Sequence, residues 1–168
     1  MDLQLHSGRL PSTVRKVRLT CLDFDAEALA FGRRRLAGHP LLESVEFVET
    51  DLFGFTRAER WRNDLASYDL VSGLGIANYF YDTVLENILA SAFTLVKPGG
   101  ELMITHKGRS EFNFAVADWF CDWVFLKRSD QEFTALFHRA LSEFDGTYEF
   151  RLEWEPCREI MFGIAKRK

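Results

Sequence analysis

Residues 17–36 read VRLTCLDFDAEALAFGRRRL and contain one clear unit of local structure. The alternation of apolar and polar residues from Val17 to Leu22 predicts a β-strand that ends at Asp23. Asp25 is a good N-cap for the helix that follows, which we expect to extend to about Ala37. A strand that passes directly into a helix is typical of the α/β class of folds.

This unit of strand and helix recurs along the chain. Further strands are predicted at residues 45–49, 68–72 and 102–104, and helices near residues 56–66 and 82–96. A capping box opens another helix at Ser129, and the alternating residues 148–154 and 160–165 predict a hairpin. We therefore expect an α/β three-layer sandwich with a mostly parallel, Rossmann-like sheet that ends in an antiparallel hairpin. This domain would span residues 17–168, after an N-terminal arm of residues 1–16.

Length and composition describe a chain that can bury a core. Of its 168 residues 47% are hydrophobic and 27% charged, which excludes an intrinsically disordered chain. No stretch reaches the roughly 20 apolar residues of a membrane span. The formal net charge of −4 argues against a nucleic-acid-binding protein held by phosphate contacts. Because Cys21, Cys121 and Cys157 have no metal-ligand spacing, we expect no metal site and a reducing, cytoplasmic location.

Acidic residues follow the first two predicted strands. Parallel sheets bind ligands at the carboxyl ends of their strands, where Asp23 can accept hydrogen bonds from both vicinal hydroxyls of a ribose or help to cap the next helix. Phe24 can stack on an adenine, although an aromatic residue at such a boundary is also a common core residue. Asp51 can accept from an adenine amine or serve as a turn residue. A nucleoside site is thus predicted, with a structural interpretation open for each residue.

Residues after the third and fourth predicted strands are candidates for contacts with the reactive end of a ligand. The segment Ser72–Gly75 would let a ligand approach the backbone, but turn formation explains its glycines equally well. Asn78 and Tyr79 on the adjoining loop are candidates for a substrate site. His106 is a candidate general base, and Trp123 is a further substrate candidate on an apolar stripe that is more typical of a core than of a pocket.

Four segments together resemble the motifs of a known family. They are residues 22–29 (LDFDAEAL), 48–52 (VETDL), 68–72 (YDLVS) and 95–102 (LVKPGGEL). In this order and spacing they resemble class I S-adenosylmethionine-dependent methyltransferases over about residues 17–108. The stretch Trp119–Glu132 is most similar to bacterial proteins of the type that makes a 3-hydroxy fatty acid methyl ester.

The resemblance implies S-adenosylmethionine as the cofactor. Transferred by position, it implies that Asp23 holds the ribose hydroxyls and that Phe24 flanks the adenine. Asp51 would accept from the adenine amine, and Leu52 would offer its backbone N–H. These four residues would therefore hold the adenosine part of the cofactor.

The resemblance also implies which residues lie near the transferred methyl group and what kind of molecule accepts it. Ser72 and Gly73 would lie near the methionine part and the methyl group. The implied function is methyl transfer to a small-molecule or lipid-like acceptor, and the alternative is a non-catalytic methyltransferase-fold module that acts in assembly or binding. A nicotinamide-dependent oxidoreductase would need a Gly-x-Gly-x-x-Gly motif before Asp23, which is absent.

One part of the family pattern has no counterpart in this sequence. The family begins with a strand and a glycine-rich turn, and nothing before Val17 resembles either, so the chain looks N-terminally truncated and its cofactor affinity should be impaired. The missing strand would lie in the sheet between the strands that end at Asp23 and Ser72. The chain is then a fragment, or Asp2–Leu5 substitutes for the strand, or a second copy fills the gap in a homodimer.

Overall fold

The computed structural model describes residues 17–57, 61, 64–109 and 125–168. The chain divides into two compact units, residues 1–52 and 53–168. The predicted boundary between an arm and a domain at residue 16 stays a prediction, because residues 1–16 lie outside the described residues. Among the described residues, none of the helices combines the length and the apolar character that crossing a membrane requires.

The first unit contains one strand–helix–strand motif. Strand β1 is Val17–Asp23, helix α1 is Ala26–Leu36 and strand β2 is Leu42–Glu49. β1 and β2 are parallel, so both strands end at the same edge of their two-stranded sheet. As predicted, Asp25 is the N-cap of α1, and its carboxylate accepts the backbone N–H groups of residues 27 and 28 at 2.8 and 3.2 Å.

The second unit contains a four-stranded mixed sheet. Its strands are β3 (Tyr68–Gly73), β4 (Val96–Lys107), β5 (Tyr148–Trp154) and β6 (Ile160–Arg167), in the spatial order β3-β4-β6-β5. β3 is parallel to β4, whereas β6 is antiparallel to both of its neighbours. This confirms the α/β class and the antiparallel hairpin.

Two long helices contribute many of the core side chains of the second unit. Short helix α2 (Leu52–Arg57) precedes β3, α3 is Asp82–Leu95 and α4 is Asp130–Ala140, and α3 packs against α4. Phe133 and Phe137 of α4 are fully buried and meet edge to face with ring centroids 5.2 Å apart. Both rings lie over Gly163 of β6, where a Cβ atom would come within 2.4 Å of the Phe137 ring. Gly163 therefore makes room for the aromatic core.

Two predicted boundaries are wrong. The predicted strand at 102–104 begins six residues earlier, at Val96, because residues on both sides of Lys97–Gly100 pair with β3 and this segment forms an irregularity within β4, where Gly99 has φ 80°. The helix predicted near residues 56–66 begins earlier, at Leu52, and its described part extends to Arg57.

The parallel strands occur as two pairs in the part of the chain that is described. β1 is paired with β2 and β3 with β4, and no described strand joins the two pairs. The missing central strand, the possible substitute at Asp2–Leu5 and the truncation all stay predictions, since they concern residues outside the described ranges.

Candidate functional site

The carboxyl ends of β1 and β2 bring two predicted site residues to one sheet edge. Asp23 pairs in register with Glu49, and the backbone N–H of Thr50 donates to the Asp23 carbonyl at 2.9 Å. Asp51 follows one residue later, and both aspartates are exposed. The two acids therefore leave adjacent strand ends, as a nucleoside site at this edge requires.

The Asp23 carboxylate is only partly engaged by its own chain. Its Oδ1 accepts the backbone N–H of Asp25 at 3.0 Å, which stabilises the turn between β1 and α1. Its Oδ2 receives no hydrogen bond from the described residues. Since Asp25 caps the helix, Asp23 retains an acceptor atom for a ligand.

Phe24 and Leu52 flank these acids. The Phe24 side chain is 76% exposed, so its interpretation as a core residue is wrong and its ring face is accessible for stacking. Leu52 is half-buried at the first position of α2. No structural observation assigns a ligand to either residue, and both stay predictions.

The glycines after β3 have two separate local causes. Gly73 is buried, and a Cβ atom there would lie 2.6 Å from Ile76 Cδ1 and 2.9 Å from Ile104 Cδ1. Gly75 has φ 76° and donates its N–H to Thr105 Oγ1 at 2.7 Å, so it forms the turn. Packing and turn geometry thus explain both glycines, while Ser72 is exposed at the end of β3.

Asn78 and Tyr79 lie in a short 3₁₀ turn, Ile76–Tyr79, but have opposite surroundings. Asn78 is buried, its Oδ1 accepts the backbone N–H of Lys107 at 2.7 Å, and its carbonyl accepts that of Leu126 at 2.9 Å. Tyr79 is 52% exposed, and its ring lies 5.8 Å from that of Phe125. Asn78 therefore positions the loop, whereas Tyr79 is accessible to a substrate.

His106 is a buried residue of the second unit. It has no exposed surface and stacks on Phe133 at a centroid distance of 5.0 Å. Neither ring nitrogen has a hydrogen-bond partner among the described residues. Burial lowers the pKa of His106 to about 4, the charge of Arg128 acts in the same direction, and Asp82 opposes both. This position gives no support to contact with a substrate, and Trp123 lies outside the described residues.

Arg128, which the sequence did not indicate as a site residue, is buried against the loop that contains Asn78 and Tyr79. Its guanidinium donates to the carbonyl oxygens of Ala77 at 3.1 Å and Phe80 at 2.7 Å. It also binds Asp82 Oδ1 through Nε at 3.0 Å and through Nη2 at 2.9 Å. These partners lie 46–51 residues away in sequence, so the only local signal was the neighbouring capping box at Ser129.

A surface cleft of about 210 Å³ opens where α3 and α4 begin. Its lining combines cationic, acidic and aromatic side chains: Tyr81, Asp82, Arg109, Leu126, Lys127, Arg128 and Glu132. Both acids of this lining form ion pairs with arginines. Asp82 pairs with Arg128, and Glu132 pairs with Arg109 at 3.0 Å. In the described ranges no three His, Cys, Asp or Glu side chains form a group that could hold a metal ion.

Comparison with known families shows which family the chain belongs to. The sequence model of a family described as "Methyltransferase domain" matches residues 5–100, which is more than half of the chain. The chain belongs to the methyltransferase domain family. This confirms the resemblance that the four sequence segments indicated. A search of curated proteins found no match.

Solved structures of the same fold include several methyltransferases. A possible exported protein from Bordetella parapertussis has a TM-score of 0.69 at 20% identity, over 90% of this chain and 53% of that one. Mitomycin 7-O-methyltransferase has a TM-score of 0.64 at 19% identity, over 90% and 42% of the two chains. Human N-acetylserotonin methyltransferase in complex with S-adenosylmethionine has a TM-score of 0.56 at 13% identity, over 89% and 47%. The chain thus spans about half the length of these proteins, and the likeness concerns the fold.

Proposed function

We propose that this methyltransferase-family chain binds S-adenosylmethionine and transfers its methyl group to a small-molecule acceptor. The observation that carries the proposal is the parallel pairing of β1 with β2, which puts Asp23 and Asp51 at one sheet edge. Family membership and the cofactor named in the human relative support the identity of the ligand.

The adenosine part is assigned to residues that follow β1 and β2. Oδ2 of Asp23, which receives no hydrogen bond from the described residues, accepts from the ribose hydroxyls, and the exposed ring of Phe24 stacks on the adenine. Asp51 accepts from the adenine amine, and Leu52 offers its backbone N–H. Ser72 and Gly73 are assigned to the methionine part, where Ser72 is exposed and Gly73 contributes backbone atoms.

Methyl transfer is an in-line displacement at the sulfonium. The acceptor atom forms a bond to the methyl carbon, the carbon–sulfur bond breaks, and its electron pair stays on sulfur, which gives neutral S-adenosylhomocysteine. Because the leaving group is already activated, the protein contributes mainly by holding the two reactants in line. The acceptor must present a nucleophilic lone pair.

The surroundings of His106 and Asp82 favour an acceptor that needs no general base. His106 is fully buried, and both oxygens of Asp82 bind arginines, Oδ1 with Arg128 and Oδ2 with Arg139 at 3.0 Å. A carboxylate is nucleophilic without losing a proton. We therefore favour methyl-ester formation on a carboxylate over methylation of a hydroxyl or an amine.

Exposed apolar side chains near β3 favour an apolar acceptor. Leu74, Tyr79 and Tyr81 are 66%, 52% and 73% exposed on one loop. Large apolar groups in such a cluster suit contact with a ligand of similar character. A fatty acid has both properties, because its chain is apolar and its carboxylate is the nucleophile. It is also the kind of lipid-like acceptor that the resemblance implies.

Calorimetric titration tests the cofactor, and product analysis tests the acceptor. We expect heat on addition of S-adenosylmethionine and S-adenosylhomocysteine, and transfer of labelled methyl from S-adenosylmethionine to 3-hydroxy fatty acids. If millimolar ligand gave neither heat nor a thermal shift, the enzyme hypothesis would be rejected in favour of a non-catalytic module. Binding without transfer to any carboxylate would remove only the proposed acceptor.

Two further properties are part of the proposal. A homodimer would supply the central strand that the resemblance implies and that the described residues do not contain, and the molar mass from light scattering tests it. A cytoplasmic location accords with two described cysteines, Cys21 and Cys157, that form no disulfide. Fractionation of the source cells tests the location.

A further inference from the structure

The loop from Gly75 to Asp82 is held from behind by buried polar contacts. Thr105 accepts the N–H of Gly75 at 2.7 Å, and Asn78 accepts the N–H of Lys107 at 2.7 Å. Arg128 contributes the largest share, because one guanidinium reaches the carbonyls of Ala77 and Phe80 and the side chain of Asp82. The loop thus has one backbone conformation that long-range contacts impose.

The same segment carries large side chains that are exposed to solvent. Tyr79 and Tyr81 are more than half exposed, as is Leu74 just before the loop. Large side chains exposed on a fixed backbone are what a preorganised binding loop presents to a ligand. The loop also starts two residues after Gly73, at the end of β3.

We infer that Arg128 is a positioning residue for methyl transfer, which fixes the Gly75–Asp82 loop in the conformation that receives the methionine part of the cofactor. The inference rests on the proposed function, since that function assigns the methionine part to the residues at the end of β3. Arg128 acts through the loop and does not touch the reacting atoms. It is suited to this task because its planar guanidinium presents donors in several fixed directions at once, which a lysine cannot do.

The ion pairs between α3 and α4 provide a matched control. Arg139 binds Asp82 Oδ2 at 3.0 Å and Glu86 Oε1 at 2.6 Å, so it belongs to the same charge network. No carbonyl of the Gly75–Asp82 loop accepts a hydrogen bond from Arg139 among the described contacts. Removing Arg139 therefore weakens the helix pair without releasing the loop backbone.

Dissociation constants of S-adenosylhomocysteine and adenosine test the inference by their ratio. Arg128→Lys should raise the constant for S-adenosylhomocysteine about tenfold or more, because misplaced groups lose contacts steeply with distance. Adenosine lacks the methionine part, so its constant should stay within about twofold, and Arg139→Met should change neither constant. Equal weakening of both ligands, or of neither, would overturn the inference.

Hydrogen exchange provides a readout that needs no ligand. The amides of residues 74–81 should exchange about tenfold faster in Arg128→Lys than in Arg139→Met, while the amides of β6 stay protected. If the unmodified chain binds no S-adenosylhomocysteine, the proposed function fails, and unchanged loop exchange would still overturn the positioning role. If Arg128→Lys does not fold, Asp82→Ala removes the carboxylate that orients Arg128 and should change exchange and affinity in the same direction.

Discussion

The Asp23→Ala variant removes the carboxylate that we assign to the ribose hydroxyls. In the structure this carboxylate is exposed, and Asp25 donates its backbone N–H to Oδ1 at 3.0 Å. Oδ2 accepts no hydrogen bond from the described residues. The turn therefore uses Oδ1, and the proposed ribose contact uses Oδ2. The substitution therefore separates a binding role from a structural one.

The expected losses in binding and in stability differ widely. Hydrogen bonds from two ribose hydroxyls to a charged carboxylate contribute about 1.5–3 kcal/mol each. Because such pairs are not additive, we expect a total loss of about 2–4 kcal/mol, which raises the dissociation constant of S-adenosylhomocysteine roughly 30- to 1,000-fold. The exposed turn hydrogen bond contributes about 0.5–1 kcal/mol to the free energy of unfolding. For a chain of this length the Tm should then fall by only about 1–4 °C.

Titration calorimetry with S-adenosylhomocysteine and scanning calorimetry on the same preparations measure both quantities. Glu43→Ala is the control, because Glu43 is an exposed carboxylate near the start of β2, and neither quantity should change. Asp23→Asn keeps one acceptor oxygen without the charge and should bind with intermediate affinity. A fall in Tm of roughly 10 °C or more with unchanged affinity would refute the reasoning, since Asp23 would then be structural.

Two further predictions concern the second unit. Gly108→Ala should lower the free energy of unfolding by about 1–3 kcal/mol in urea titrations, because its Cβ would lie 2.2 Å from the Trp154 ring. The loss should shrink in a Trp154→Leu background, and an equal loss there would contradict the steric cause. Because the pKa of His106 falls from 6.5 unfolded to about 4 folded, the folded state binds fewer protons, and stability should decline by about 3 kcal/mol as the pH falls from 6.5 to 4. His106→Leu should lack this part of the pH dependence, and an unchanged urea-denaturation profile across that range would contradict the assignment.

The predictable features of this chain are those that neighbouring residues determine. Asp25 caps α1 because its carboxylate reaches amides two and three residues ahead. Ser129 and Glu132 form the reciprocal pair of a capping box within four residues. The alternation in β5 likewise places its charged residues on one face. Each motif contains its own partners, so the sequence alone was sufficient.

The features that escaped prediction depend on distant partners. Arg128 binds atoms 46–51 residues away, and a lone arginine in the sequence does not reveal that it is buried. Asn78 looks like an ordinary polar loop residue in the sequence, yet its amide oxygen accepts a hydrogen bond from the backbone of a residue 29 positions away. Gly99 has the positive φ of 80° that is typical of a turn, but residues on both sides of its segment, Val96 and Glu101, pair with β3, so the segment stays within β4. In each case tertiary contacts overrode the local preference.

The acidic residues at element ends show most clearly what the structure adds. Asp23, Asp25, Asp82 and Glu132 all occur where a strand ends or a helix starts, so their local patterns do not distinguish a ligand-binding acid from a structural one. Hydrogen bonding does: Asp25 accepts two amides, Asp82 binds two arginines, and Glu132 binds an arginine and the Ser129 amide. A ligand hydroxyl at Asp82 would have to displace an arginine and leave a charge unpaired, whereas at Asp23 it gains a free oxygen. Among these four acids, Asp23 is thus the one whose described contacts leave an oxygen for the proposed ribose contact, whereas Asp82 and Glu132 bind arginines at the starts of α3 and α4.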